Sequence, residues 1–112
     1  MSDTDKPVLV YSTFPTVIAA EAAGIRLVEV GLAACVNVIP GMTSIYRWEG
    51  KLERCSEAVM IVKTRESLAD LAIAEARRHH PYTNPAFLTV GVEGGSQAYI
   101  EWLMAETQAQ TR

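Results

Sequence analysis

The order in which hydrophobic periods alternate along the chain limits its fold more than any other feature. Residues 8–14 (VLVYSTF) form a β-rich run closed by Pro15, which predicts a first strand. From Thr16 the period becomes helical, with Ala20, Ala23, Gly24, Leu27, Val28 and Leu32 on one face, Thr16 as N-cap and Gly31 as the closing glycine. Gly24 in mid-helix costs about 1 kcal/mol against alanine, so a close helix–sheet approach is expected there. Residues 33–39 read as strand two, interrupted by Pro40-Gly41 and resumed over 44–49. A proline donates no ladder hydrogen bond, so a bend, bulge or edge is expected at that point. Gly50 marks a tight turn, and 51–64 is a long third strand. Thr64 is expected to cap a helix over 65–79 whose face is Leu68, Leu71, Ala72, Glu75 and Ala76, stopped by Pro81. Residues 86–92 are strand four. Ser96 caps a short last helix carrying Tyr99, Trp102 and Leu103 on one face.

The resulting β-α-β-β-α-β order plus a terminal helix predicts an α+β, ferredoxin-like sandwich. Four antiparallel strands would carry two helices on one face. The 112 residues fit one domain, 7–107, with flexible tails at 1–6 and 108–112. The long β2–β3 hairpin projects past such a sheet and carries Tyr46 and Trp48 on one face by period two. Two large rings near a hairpin tip are hard to bury in a monomer of this size, so a homo-oligomer is expected.

Charge and composition exclude several function classes. The formal net charge is −3 with both signs interspersed, which leaves no basic stripe for nucleic acid and no polybasic patch for a membrane surface. No apolar run reaches the roughly 20 residues of a membrane helix. The polar, acidic start lacks signal-peptide features, and Cys35 and Cys55 sit in no CxxC motif. A cytoplasmic protein with free thiols is expected, Cys35 as a core residue and Cys55 on the hairpin. No hydrolase triad, Walker loop or dinucleotide fingerprint occurs.

Several segments, GLAACVN (31–37), SIYRWEGK (44–51), VKT (62–64), HHPY (79–82) with Pro85, and YIEWL (99–103), together resemble the CutA divalent-cation tolerance proteins. The resemblance runs from about residue 8 to 103. It implies a tight homotrimer, similar in architecture to PII signalling trimers, whose long hairpins pair between subunits and leave clefts there. It also implies a non-enzymatic role in tolerance of copper and other divalent metals. The copper ligands it implies are His79 and His80 plus a cysteine, but that last position is Ser12 here. A thiolate is replaced by a hydroxyl, which weakens any case for Cu(I). Thr83 and Ala86 likewise stand where acidic or amide side chains are usual.

The bland reading of His79 and His80 is capping of the helix end broken by Pro81. Imidazole is nonetheless a common copper and zinc ligand, so both remain metal candidates, with Cu(II) or another divalent cation as the cofactor to test. The ligand cleft is expected around Tyr46, Trp48, Glu57, Lys63, Tyr82 and Pro85. A Lys63–Glu57 pair would suit an anion or carboxylate. Asn37, if buried, needs a partner. The expected partners are the chain itself and a divalent ion or small ligand. A stable trimeric scaffold for a protein partner, with no metal site, is the alternative. An enzyme using Lys63 or Cys55 comes last, because the two histidines are consecutive and offer no separate base.

Overall fold

Strand parity divides the chain into a helix-covered face and an open one. The computed structural model describes residues 5–107. It contains β1 (Pro7–Phe14), α1 (Val17–Glu29), β2 (Cys35–Trp48), β3 (Lys51–Arg65), α2 (Ala69–Arg78), β4 (Phe87–Gly91) and α3 (Gln97–Glu106). A single 3-10 turn, Glu66–Leu68, leads into α2. The strands form one antiparallel sheet in the order β2-β3-β1-β4, the ferredoxin-like arrangement. Val8, Val10 and Phe14 of β1 and Ala58, Met60 and Val62 of β3 point to the helices. There they pack with Ala20, Ala23 and Leu27 of α1 and Ala72 and Ala76 of α2.

Helix α1 starts and stops as its residues dictate. Thr16 Oγ1 accepts from Ala19 N–H at 3.1 Å. At the other end Leu32 N–H reaches Leu27 O, Gly31 N–H reaches Val28 O, and Gly31 has φ +78°. This is a Schellman closure, which glycine permits without steric cost. Gly24 is required by packing, because a Cβ there would lie 2.8 Å from Val36 Cγ1.

The β2–β3 hairpin runs unbroken to its tip. Pro40-Gly41 forms a bulge between Ile39 and Met42, on a strand whose other edge is unpaired. Glu49 and Gly50 both have positive φ, 51° and 81°, between the paired Trp48 and Lys51. That is the geometry of a two-residue type I′ turn, whose twist matches the strands. Partner β1 leaves β3 at the Phe14–Ala58 pair, so everything beyond is a two-stranded arm. The molecule accordingly measures 46 × 28 × 22 Å.

Four expectations change. Thr64 caps no helix; it is fully buried and its hydroxyl donates to Leu32 O at 2.8 Å. Asp5 does the capping instead, accepting from Ser67 N–H at 3.0 Å and Ser67 Oγ at 2.7 Å. Asp5 is therefore no part of a flexible tail, whereas residues 1–4 of the expected N-terminal tail and the tail expected at 108–112 lie outside the described residues. Leu71 is exposed, since Ala69, Ala72 and Ala76 make the buried stripe. Cys35 is half-buried on the open sheet face beside Lys63, and Asn37 is exposed there.

Arg65 ties the ends of the domain together. Its side chain is buried and donates Nη1 to Asp5 at 3.0 Å, Nε to Thr107 Oγ1 at 3.2 Å, and Nη2 to Met104 O. Burial pushes the Asp5 carboxyl up, but the bonds from Ser67 and Arg65 outweigh it and hold the group below its ordinary value.

Candidate functional site

A groove of ≈ 680 Å³ opens where the hairpin arm leaves the sheet. Its floor comes from Tyr11 and Thr13 of β1, one wall from Ser44, Tyr46 and Trp48 of β2, and the far side from Tyr82 and its loop. Period two explains the set: Tyr11 and Thr13 have the parity opposite to core residues Val8 and Val10, and Ser44, Tyr46 and Trp48 share one side of β2. Sequence reasoning found Tyr46, Trp48, Glu57 and Tyr82 and missed Tyr11, Thr13 and Ser44. The same parity, carried across to β1, was the available signal.

Glu57 is the chemical centre of this groove. It is 8 % exposed, yet its carboxylate lines the space. Ser44 Oγ donates to Oε1 at 2.6 Å and Tyr82 Oη donates to Oε2 at 2.9 Å. Burial and the Glu57 carboxylate together push the Tyr82 hydroxyl well above its ordinary range, so it stays a donor. Tyr46 Oη lies 3.7 Å from Cys55 Sγ, and that contact pushes the Tyr46 hydroxyl above its ordinary value too, so it resists ionisation.

Lys63 and Pro85 fall outside this groove. Lys63 sits six residues along β3 from Glu57 and donates to Tyr99 Oη at 3.1 Å, with its Nζ 5.1 Å from the ring centroid. That hydroxyl bond raises the Lys63 ammonium above its usual value despite burial. The expected Lys63–Glu57 pair is therefore absent among the described residues. Pro85 is buried and braces the loop whose neighbours Pro81, Thr83, Asn84 and Ala86 line the groove.

The two histidines turn to different tasks. His80 stacks on Phe14 with centroids 4.1 Å apart and meets Tyr82 and Phe87 at 4.9 and 5.9 Å. Its Nε2 lies 2.7 Å from Thr13 O, a pure acceptor, so Nε2 carries a proton. Tyr82 N–H donates to Nδ1 at 3.2 Å, so Nδ1 carries the lone pair. Both nitrogens of the neutral ring are thus engaged, and no lone pair is left for a metal. His79 instead lies along α2 with Nε2 3.3 Å from Glu75 Oε2. Its ring and Arg26 hold the Glu75 carboxyl below the usual range. Ser12 Oγ is fully buried and has no hydrogen-bond partner among the described residues. His79, His80 and Ser12 do not fit a metal centre in this arrangement.

Burial also holds His80 below its ordinary value, against the opposing Thr13 contact. A histidine depressed in the folded state stays neutral while the unfolded chain takes up a proton. Its contribution is complete above the unfolded value near 6.5 and is lost as pH falls through the lower folded value. Denaturant midpoints are therefore expected to fall steadily from pH 7.5 to about pH 5. His80→Asn is expected to flatten that slope, and an unchanged slope in the variant would refute the assignment.

Comparison with known proteins decides the family. The model of the CutA1 divalent ion tolerance protein family matches residues 8–106. The chain belongs to this CutA1 family. It is 38% identical over 107 residues to the chloroplastic protein CutA of Arabidopsis thaliana, covering 96% of this chain and 59% of that protein. It is 38% identical to the divalent-cation tolerance protein CutA of Pectobacterium atrosepticum, covering 91% of this chain and 96% of that one. The crystal structure of CutA1 from Oryza sativa superposes with a TM-score of 0.90 at 36% identity, over 94% of this chain and 96% of that one. This CutA1 domain spans about 60% of the length of its chloroplastic relatives. The fold and the family resemblance read from the motifs are both borne out.

Proposed function

We propose that the chain works as a non-enzymatic homotrimer in the cell's tolerance of divalent metal ions, copper among them. The open sheet face and the aromatic arm carry this reading. Leu88 is 62 % exposed and Val90 51 %, on the face that α1 and α2 leave bare. Tyr46, Trp48, Ile45 and Leu52 are exposed on the arm. Apolar surface of this kind is stabilised by a partner, and the unpaired edge of β2 supplies ladder groups for one. Names of relatives, such as the Pectobacterium atrosepticum divalent-cation tolerance protein, support the metal role. Cytoplasmic action fits two free cysteines.

Complementation tests the proposal. In a strain lacking its own CutA, this chain is expected to raise the inhibitory concentration of CuSO4 and ZnSO4, and a variant that cannot trimerise is not. Equal growth with and without the chain would refute the tolerance role.

Direct capture of the ion by the histidines is disfavoured by the His80 geometry. Calorimetric titration with CuCl2 is expected to give the same isotherm for the protein and for His80→Ala. A micromolar site lost in both His79→Ala and His80→Ala would contradict this. A scaffold that binds a protein through the same surface remains the second reading, and a stoichiometric partner in pull-downs would favour it.

A further inference from the structure

We infer that the groove at the base of the arm is a binding site for an organic cation, an alkylammonium or guanidinium group, with Glu57 as its counter-charge. The inference goes beyond the proposed function and assigns a ligand class to the cleft that the sequence places around Tyr46, Trp48, Glu57 and Tyr82. Four rings line the space: Tyr11, Tyr46, Trp48 and Tyr82. Aromatic faces attract cations, most of all weakly hydrated organic ones, and tryptophan does so best. Glu57 adds a carboxylate that is 8 % exposed.

The hydrogen bonds at Glu57 leave it incomplete. A carboxylate offers about four acceptor positions. Ser44 and Tyr82 fill two of them, with neutral hydroxyls. Among the described residues no lysine or arginine pairs with it, and none lines the groove. A buried charge without a counter-charge is costly, and a bound cation removes that cost. An anion would meet the carboxylate directly and is disfavoured.

A bare divalent ion fits this chemistry poorly. Hard cations want about six oxygen ligands and soft ones want thiolate or imidazole. Here one carboxylate stands among rings, and no cluster of three or more His, Cys, Asp or Glu side chains suited to a metal occurs among the described residues. The volume, ≈ 680 Å³, is that of a small-molecule site. Ser44 and Tyr82 hold the carboxylate in place before the ligand arrives, which lowers the ordering cost of binding.

Trp48 emission reports the site, and Trp102→Phe removes the second indole signal. Titration of this protein with n-butylammonium chloride is expected to give a saturable change with half-saturation on the order of 1 mM. n-Butanol, of the same length but neutral, is expected to bind roughly tenfold more weakly, and n-butyrate not at all. Glu57→Gln keeps the shape and is expected to weaken n-butylammonium by roughly tenfold while leaving n-butanol unchanged. Equal binding of butylammonium and butanol by the unmodified groove would overturn the inference without recourse to any Glu57 variant. So would an unchanged affinity in Glu57→Gln. Light scattering on the same samples separates this from the assembly: a trimer with no saturable response overturns the cation site alone. A monomer that binds butylammonium through Glu57 supports the site and removes the assembly.

Discussion

Arg65→Met is expected to destabilise the fold by about 3–5 kcal/mol, the usual effect of removing one partner from a buried ion pair. The Arg65 side chain is 3% exposed and its Asp5 partner 7%. Methionine keeps the volume and removes three anchors at once: the Asp5 pair, the Thr107 hydroxyl bond and the Met104 carbonyl bond. Asp5 would be left charged and buried while it still caps the turn into α2 through Ser67. For a domain of this size the loss corresponds to roughly 10–30 °C in Tm. Circular dichroism melting checks it. The double variant Asp5→Asn/Arg65→Met is expected to recover part of the loss, because the unpaired charge is gone. A Tm within a few degrees of the parent would show that α3 is held to the sheet by packing alone.

Trp48→Asp is expected to convert the proposed trimer to monomers. The indole stands at the tip of the arm, paired with Lys51 and half exposed in the single chain. In the proposed assembly a neighbouring copy covers the part of the ring turned away from the groove, and a carboxylate in its place must lose hydration at a cost of several kcal/mol per copy. Lys51, directly across the ladder on the same side of the arm, offsets only part of that cost, because a cross-strand ion pair contributes about 1 kcal/mol or less. Trp48→Phe serves as the control and is expected to remain assembled. Light scattering reads the outcome directly, and an unshifted mass for Trp48→Asp would mean that the arm does not seal the oligomer.

The strands, the helices and the hairpin tip were legible because each obeys a local rule. Alternation marked both faces of β1 and β3, Thr16 and Gly31 bounded α1, and Gly24 announced its contact with Val36. What escaped was decided by residues far apart in the chain. Thr64 has the right chemistry for a cap, but β3 continues past it and turns its hydroxyl to Leu32, thirty-two residues away. Asp5 took over the capping role from 62 residues away in sequence, which no local pattern reveals.

The site was half legible for the same reason. Tyr46, Trp48 and Tyr82 advertise themselves as rings in unusual places. The Glu57–Ser44 bond is a cross-strand diagonal of the arm, and its partner Tyr82 arrives from a separate loop. Glu57 and Lys63 share a strand face and so suggested a pair, but the arm carries Glu57 beyond the end of β1 while α3 brings Tyr99 to Lys63. Likewise HHPY reads as a metal motif until Thr13 and Tyr82 occupy the two nitrogens of His80.

Sedimentation equilibrium of the unmodified protein tests most directly whether a bare sheet face and a projecting aromatic arm are covered by like copies. The account predicts a single species of three times the 12.2 kDa chain mass at micromolar concentration, holding on dilution. A species of one chain mass, with indole emission typical of water-exposed tryptophan, would contradict it.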